Sequence, residues 1–427
     1  MANNTVGHNV VDNGERPSDD VLRESLLRYA RLKLTISQKI SNLAEEHHYH
    51  IKSTKLKALN KEFNIPTVRK SAPISVITTL VCDKLDDDVN QGNGPDAMKT
   101  FLALDGYQIP RDTIRQVMKD NAPGSSKMRY PGNKEKIVRK NLTAQGVYQE
   151  LHCDGHEKLG SAALRMGPVG ISVYGFREKA GGLVAHLVAV PDARQSVVIG
   201  HVYLDCVEST GVIPIQITVD KGSETGEMFA AQAALREIYT PDLNTVQWPV
   251  VVALKSVNNI PIENLWKWLL KTTGRNLRDI IEDDSHLRSF LSHHLNQINV
   301  FYSHLFHWLW SKIVQLKLDE FKLYWNYHTP RKNPKKALIS GVAPIEIYRD
   351  PAKYGLARLS TPVEQESIDA LRGNLEYTRE EALQWVPDNF DVAATEAYQY
   401  IGSPALEPRR GWAIFAQMAP LLADLDI

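Results

Sequence analysis

The chain has 427 residues, more than one hydrophobic core usually organises, so its length predicts two or three domains. Apolar residues make up 43% of the chain and never form a run of 18, which excludes collagen-like and disordered classes and argues against a membrane span. The three cysteines, Cys82, Cys153 and Cys206, lie far apart. We therefore expect a reducing compartment, with neither a disulfide scaffold nor a cysteine-rich zinc site.

Charge is unevenly distributed, although basic and acidic residues both total 50. Residues 21–70 contain eleven Lys or Arg against four Asp or Glu, and residues 111–140 contain nine against three. From residue 361 onward, twelve acidic residues face four basic ones. A basic front and an acidic back suggest that the N-terminal half binds a polyanion. The alternative is that these are solvated helix faces that bind nothing.

The N-terminal third is predicted to be helical after a short tail. Residues 1–20 have neither an apolar core nor a basic leader, so we expect a disordered tail without a secretory signal. In residues 21–120, the segment ISQKISNLAEEHHYHIKSTKLKALNKEFNI predicts two helices around a turn, with Lys55, Lys57 and Lys61 on the outer side of the second. This is typical of a helix-turn-helix that meets the DNA major groove, although any basic helical hairpin has the same pattern.

A second helical pair follows, and then a break. The segment GPDAMKTFLALDGYQIPRDTIRQVMKDN has two apolar stripes, separated by Asp105-Gly106, and Pro110 stands where a first helical turn accepts it. Residues 121–140 are rich in Gly, Pro, Ser and Lys, which predicts a basic linker at a domain boundary.

Beyond the linker the pattern changes to mixed strand and helix. VYQELHCD, VGISVYGF and LVAHLVAV predict three successive strands in an antiparallel meander. A helix ending at Gly211, the strand PIQITVD, the helix EMFAAQAALREIY, the strand VQWPVVVAL and a helix from Ile260 follow, which indicates an α/β layered domain. We assign Asp205 to a helix surface. The aromatic-rich stretch 284–326 is predicted to be helical and to pack in the core.

Three carboxylates stand where these elements would bring them together. Asp154 ends the first strand in LHCDGHEKL, and Asp220 ends the fourth strand in ITVDKGSETG. Glu263 lies in the first turn of the helix at 260, beside the predicted buried stripe, with Lys267 and Lys271 on the following turns. The helix dipole alone would also explain Glu263.

Carboxylates that converge repel one another unless a cation neutralises them. Oxygen ligands suit Mg²⁺ or Mn²⁺, and two such ions can drive in-line attack on phosphorus. We therefore expect two divalent ions on Asp154, Asp220 and Glu263. His156 is a candidate to position substrate phosphate or to cap the turn, and Glu224 is a candidate substitute acid or the start of the next helix.

The series LHCDGHEKL, ITVDKGSETG and SVNNIPIENLWKWLLK resembles the DDE-type core shared by retroviral integrases and many transposases, and most closely the integrase-core proteins of fungal and other eukaryotic genomes. The segment DEFKLYWNYHTPRKNPKKALISGVAPIEIY is similar to that family's closing region, where a WN-x-H helix leads into a basic loop. The resemblance covers about residues 125–350. It implies a ribonuclease H-like mixed sheet flanked by helices, with Asp154, Asp220 and Glu263 as catalytic metal ligands.

The sequence departs from the retroviral pattern in two places. His47, His48 and His50 lack a CxxC partner, so we expect a surface cluster and no zinc domain. The interval from Asp220 to Glu263 is longer than in retroviral members, which leaves the geometry of the third ligand open.

These observations predict a catalytic core at 141–350 and an acidic extension at 351–427. We expect a nuclear DNA recombinase that hydrolyses and joins double-stranded DNA ends, acts as a homo-oligomer and binds no membrane. Predicted DNA contacts also include Lys267 and Lys271, which would hold the phosphate backbone beside Glu263, and Lys221, Lys332 and Lys335. The segment RKNPKK at 331–336 would serve as a nuclear signal or a DNA-binding loop. The alternatives are a domesticated DNA-binding or interaction protein that does not use the chemistry, and a nuclease without strand transfer.

Overall fold

A computed structural model of the chain describes residues 13–88, 92–122, 143–157, 159–164, 169–220, 223–254, 259–283, 300–334 and 336–423. Within these residues the chain forms two compact units. The first comprises residues 13–86 and 93–122, and the second comprises residues 87–88, 92 and 143–423. Most of the predicted tail and almost all of the predicted linker lie outside the described residues.

The first unit is helical throughout its described residues, apart from turns, as the sequence predicts. Besides a 3-10 turn at Val68–Lys70, its helices are α1 Asp19–Arg31, α2 Ile36–His47, α3 Ser53–Glu62, α4 Ile74–Asp87, α5 Pro95–Leu104 and α6 Arg111–Asn121. Apolar side chains of α4, α5 and α6, among them Val81, Met98 and Ile114, share one core cluster.

The predicted hairpin corresponds to α2 and α3. Thr35 caps the start of α2 by accepting a hydrogen bond from the backbone of Gln38, whose side chain in turn accepts one from the backbone of Thr35. The helix ends at His48, which adopts a left-handed conformation with φ 51°. In α3, Leu56 and Leu59 are buried, and Lys55, Lys57 and Lys61 are exposed. The basic side of α3 therefore faces solvent, and DNA contact there stays a prediction.

The second unit is mixed α/β. Its strands are β1 Gly146–Val147, β2 Glu150–His156, β3 Ser172–Glu178, β4 Val184–Val190, β5 Val212–Ile213, β6 Gln216–Asp220, β7 Val251–Leu254, β8 Ala357–Arg358 and β9 Thr361–Pro362. Its helices are α7 Ser161–Leu164, α8 Ser196–Thr210, α9 Gly226–Tyr239, α10 Ile260–Leu269, α11 Arg275–Ile281, α12 Val300–Tyr327, α13 Pro344–Arg349, α14 Gln365–Gly373, α15 Arg379–Ala382, α16 Asp388–Tyr400 and α17 Pro408–Leu422. A π-helical turn, Leu270–Gly274, joins α10 to α11, and short 3-10 turns cover Ser223–Thr225 and Ala352–Tyr354.

Five strands form the central sheet in the order β4-β3-β2-β6-β7. The pairs β4-β3 and β3-β2 are antiparallel, which confirms the predicted meander, and β2-β6 and β6-β7 are parallel. The parallel pairs are made by crossovers through α8 and α9, as a mixed sheet requires. The predicted α/β layered class is therefore confirmed at the level of a mixed sheet with helices.

One predicted strand is shorter than the sequence indicates. VQWPVVVAL was expected to be extended throughout, but β7 covers only Val251–Leu254. The reason is a turn organised by Asn244, whose side-chain oxygen accepts hydrogen bonds from the backbone of Val246 and Gln247. A side chain that bonds its own local backbone competes with sheet pairing.

The long helix α12 packs against β4 and against α17. Most of its large aromatic side chains are buried, namely Phe301, Phe306, Trp308, Trp310, Phe321 and Tyr324. Core packing is therefore the correct interpretation of the described part of this stretch. Residues 284–299, the first part of it, lie outside the described residues.

The acidic extension packs into the same compact unit as residues 143–350. Strand β8 pairs with β1, and β9 pairs with β5. Helices α14 and α15 contact α8, whereas α16 and α17 contact α12. The helices of this acidic segment thus pack against the rest of the second unit. Within the described residues, no helix combines the length and the hydrophobicity that a membrane span requires.

Asp205, on α8, forms ion pairs with two arginines of the extension. The prediction that it lies on a surface is wrong, because its side chain is only 10% exposed. It accepts two hydrogen bonds from Arg379, at 2.8 and 2.9 Å, and pairs with Arg372 at 2.8 Å. Both arginines belong to the extension, so they were too distant in sequence to be recognised as partners.

Replacing Asp205 with alanine should destabilise the second unit. The guanidinium of Arg372 is 15% exposed and would lose its buried partner. We expect the free energy of unfolding to fall by about 3 kcal/mol, because Arg372 would keep only the more exposed Glu208 as a partner and Arg379 would lose Asp205 as well. Denaturant unfolding at pH 7 measures the effect. Glu208→Ala is the matched control, since Glu208 pairs with the same Arg372 but is 44% exposed, and it should cost less than about 1 kcal/mol. Equal losses in the two variants would contradict this account.

Candidate functional site

Asp154 and Asp220 lie side by side on one face of the sheet. In the parallel pair β2-β6, His152 stands opposite Thr218, and the two aspartates follow two residues later on each strand. Because strand side chains alternate between faces, both carboxylates project on the same side. Leu151 and Cys153 project on the opposite side, where they join the main core cluster. Both predicted acids are therefore neighbours, and each is half-buried. The prediction that Asp154 ends its strand is wrong, because antiparallel pairing with β3 extends β2 to His156.

Helix α10 lies over this face and supplies the third acid. Its buried residues include Ile262, Leu265, Trp266 and Leu269, the stripe that the sequence predicts. Glu263 flanks the stripe and is half-buried. All three acids line one open cavity of about 550 Å³. The described residues that line it are Asp154, Gly155, His156, Glu157, Ala193, Arg194, Asp220, Glu224, Glu263, Trp266, Lys267 and Leu270.

The electrostatics of the cavity are those of crowded carboxylates. Burial raises the pKa of Asp154 from its ordinary value of 3.8 to about 7, and the negative charges of Asp220 and Glu263 add to the rise. Hydrogen bonds from Trp266 and from the backbone of Gly155 oppose it. The three acids therefore lie close enough to repel one another. A carboxylate that is ionised here without a neutralising partner destabilises the folded state.

Trp266 connects the helix to the first acid. Its indole N–H donates a hydrogen bond of 2.8 Å to Oδ2 of Asp154. The same ring stacks on the imidazole of His156, with centroids 4.8 Å apart and planes inclined by 16°. The ring also occupies space that a side chain on β3 would need, because a Cβ added to Gly175 would lie 2.6 Å from the Trp266 ring. Gly175 pairs with Asp154 across β2 and β3.

Two further side chains fix the start of α10. The Asn259 amide donates to the carbonyl of Cys153 at 3.2 Å, and its oxygen lies 2.6 Å from Nδ1 of His152. The Arg177 guanidinium, on β3, donates to the carbonyl of Pro261. The first turn of α10, which carries Glu263, is therefore bound to β2 and β3 by side chains as well as by its apolar face.

A buried polar chain continues behind Asn259. Nε2 of His152 lies 3.3 Å from Glu150, and Glu150 accepts a hydrogen bond of 2.6 Å from Lys179. Burial by itself would raise the pKa of Glu150, but His152 and Lys179 outweigh it and lower the pKa to about 2. Glu150 is therefore ionised across the physiological range, and this chain stiffens the strand that carries Asp154.

The other predicted site residues are distributed over several places. His156, Glu224 and Lys267 line the cavity, and Lys267 is exposed. Lys271 is exposed on the π-helical turn, with its ammonium group 5.4 Å from the centre of the Trp268 ring. The exposed side chain of Lys332 belongs to the second unit, whereas Lys55, Lys57 and Lys61 belong to the first. Lys221 and Lys335 lie outside the described residues.

Several residues of the site are not evident from the sequence. Glu157 and Arg194 line the cavity, and Asn259, Arg177 and Gly175 position its walls. Glu157 follows Asp154 in the same motif, which was a usable signal. The other contacts join residues 80 or more positions apart or depend on the space above the sheet, so no local pattern reveals them.

The donor chemistry of the cavity suits a hard cation, because the three acids offer only oxygen atoms. Among the described residues, however, no group of three or more histidine, cysteine, aspartate or glutamate side chains is arranged so that it could hold a metal ion as it stands. One oxygen of Asp154 faces the Trp266 indole in this arrangement. The raised pKa of Asp154 is the observation that favours a cation in the cavity.

No family model matches this chain, and no curated protein matches its sequence. The integrase resemblance therefore stays a prediction from the sequence motifs.

The stability of the protein should reveal the cost of ionising Asp154. Between about pH 4 and 7 the folded state holds a proton on Asp154 that the unfolded chain has released, so this carboxyl makes stability fall as pH rises. Above pH 7 the full cost is present. In the absence of divalent ions, Asp154→Asn should raise the free energy of unfolding by roughly 2–4 kcal/mol at pH 8 and by almost nothing at pH 4.

Denaturant unfolding across this pH range measures the effect. Asp242→Asn, in an exposed turn, is the matched control and should change stability equally at all pH values. A pH-independent difference for Asp154→Asn would contradict the electrostatic account of the cavity.

Gly175 should not tolerate a methyl group. In Gly175→Ala the new Cβ would stand 2.6 Å from the Trp266 ring, so the ring and α10 must move away from the sheet. We expect a loss of roughly 1–3 kcal/mol in the free energy of unfolding, as for other overpacked cores. Gly155→Ala is the control on the neighbouring strand, because its Cβ would find no neighbour nearer than 3.7 Å. Equal stability of the two variants would show that the close packing of Trp266 has no energetic weight.

Proposed function

We propose that the chain is a divalent-metal-dependent DNA recombinase of the integrase and transposase type, and that its second unit has a ribonuclease H-like fold. The observation that carries the proposal is the convergence of Asp154, Asp220 and Glu263 on one open cavity, where burial, together with the charges of the other two acids, raises the pKa of Asp154 to about 7. The acids come from two adjacent strands and a facing helix, in the order of the integrase-like motifs. A mixed sheet flanked by helices is also what that resemblance implies.

Mg²⁺ or Mn²⁺ is the cofactor that this donor set would accept. Asp154, Asp220 and Glu263 would hold two such ions, which would supply activation of a water or a DNA 3′-hydroxyl and stabilisation of the leaving oxygen. The Trp266 indole would orient Asp154 through its hydrogen bond to Oδ2. Glu224 lines the same cavity and is a further oxygen donor within it.

The remaining residues of the chain would bind and orient DNA. Lys267 at the cavity, with Lys271 on the next turn and Lys332 in the second unit, is suited to phosphate contacts. His156 is held flat against Trp266, which fixes its ring at the cavity wall. The exposed basic side of α3 in the first unit is suited to the DNA major groove. Lys221 and Lys335 are proposed as DNA contacts on the sequence alone.

The proposal includes a nuclear location and a homo-oligomer. Assembly on two DNA ends requires more than one copy of a site that joins one end at a time, and this argument rests on analogy with integrases. The acidic extension is assigned a structural role, since its arginines bind Asp205 and its helices cover the core.

Strand-transfer assays test the reaction directly. With Mn²⁺ and a labelled duplex, the wild-type protein should give both nicked and joined products, because the same cavity activates water and a 3′-hydroxyl. Asp154→Asn and Glu263→Gln should lose both products by a factor of at least about 100, whereas Asp242→Asn should retain them. Nicked products alone would favour a nuclease. Binding without any product would favour a domesticated DNA-binding protein and would overturn the proposal.

A further inference from the structure

Arg194 is a cation at the cavity to which the proposed reaction has so far given no role. It lies in the turn between β4 and α8 and lines the same cavity as the three acids. Its backbone N–H donates to Oδ1 of Asp192 at 2.8 Å, and the Gln195 side chain donates to Oδ2 of Asp192 at 3.3 Å. These local bonds shape the turn and keep the guanidinium at the cavity.

The guanidinium makes a two-pronged contact with Glu157. Nε lies 3.1 Å from one carboxylate oxygen and Nη2 lies 3.2 Å from the other. This fork matches a carboxylate and a phosphate equally well, because both present two oxygens at a similar spacing. The Arg194 and Glu157 side chains are 78% and 48% exposed. An ion pair so open to water contributes little stability and exchanges readily.

The charges around Arg194 explain why it needs a holding partner. Among the described residues, five carboxylates and two permanent cations, Arg194 and Lys267, line the cavity. Glu224 lies close enough for its charge to act on Arg194. An arginine without Glu157 would be drawn further toward the acids, where it would compete with a metal ion. Glu157 keeps the guanidinium to one side of them.

We propose that Arg194 is a second phosphate-binding residue of the cavity besides Lys267, and that its guanidinium exchanges Glu157 for two non-bridging oxygens of a phosphodiester in the bound DNA strand. In the absence of DNA, Glu157 binds the Arg194 guanidinium, keeps it oriented for a phosphate and keeps it away from the three acids. The inference rests on the proposed function for the identity of the ligand as DNA. It assigns a positioning role to a residue that the sequence motifs do not contain.

Duplex-DNA binding by the full chain tests the exchange. A blunt-ended fluorescein-labelled duplex is titrated with wild-type, Arg194→Gln, Arg194→Lys, Glu157→Gln and the Glu157→Gln/Arg194→Gln double variant, in Ca²⁺ at a series of KCl concentrations. Arg194→Gln should bind about tenfold more weakly, and its salt slope should fall by about 0.9, the value for one phosphate contact. Arg194→Lys should keep the slope but recover only part of the affinity, since an ammonium group cannot fork.

The double variant separates exchange from a general charge effect. Glu157→Gln should strengthen DNA binding several-fold in the wild-type background, because the Glu157 carboxylate no longer competes with the phosphate for Arg194. In the Arg194→Gln background the same change should have no effect. Lys353→Gln, an exposed cation that does not line the cavity, is the matched control and should leave affinity unchanged. Thermal unfolding should be the same for all variants, since both side chains are exposed.

Wild-type affinity and salt slope in Arg194→Gln would overturn the inference, as would an equal effect of Glu157→Gln in both backgrounds. Weakened binding in Arg194→Gln together with a wild-type protein that never cleaves DNA would overturn the proposed recombinase activity and leave the phosphate site standing. Cleavage by the wild-type protein, together with unchanged DNA binding by Arg194→Gln, would overturn the phosphate site and leave the proposed recombinase activity standing.

Discussion

The hydrogen bond from the Trp266 indole to Asp154 joins the helix that carries Glu263 to the strand that carries the first acid. The ring can make it only because Gly175, opposite Asp154, leaves the surface of the sheet open beneath the indole. Asn259 then binds the start of the same helix to β2. These contacts hold three carboxylates from separate elements around one cavity and prevent them from moving apart.

This arrangement of carboxylates destabilises the folded chain, and the fold itself does not require it. An aspartate whose pKa rises to about 7 is poorly solvated and poorly neutralised. Elsewhere in the same unit, Arg372 and Arg379 neutralise Asp205, and Lys179 neutralises Glu150. Glu178 is also buried with a raised pKa, but four backbone N–H groups bind its carboxylate. Asp154 differs from these three acids because it lies on an open cavity beside two further carboxylates. Perturbed pKa values of this kind cluster at functional sites.

Much of this organisation could be predicted from local patterns. Strand alternation located Asp154 and Asp220, the helical stripe around Ile262 oriented Glu263, and Gly211 marked a helix end, where its φ is 68°. The contacts that make the site work were beyond such reasoning. The partners of Asp154 and Asp205 lie 112 and 174 residues away. A local pattern cannot show which distant side chain occupies the space above a strand.

The central claim is that Asp154, Asp220 and Glu263 together hold divalent ions, and calorimetric titration with Mn²⁺ tests it most directly. The full chain should bind two Mn²⁺ ions in the cavity, and the Asp154→Asn/Asp220→Asn/Glu263→Gln variant should lose that binding, since hard cations require anionic oxygen ligands. Among the described residues that line the cavity, five carboxylates face two cations, and this excess of negative charge favours the result. Identical Mn²⁺ titrations for the wild-type chain and the triple variant would contradict the account.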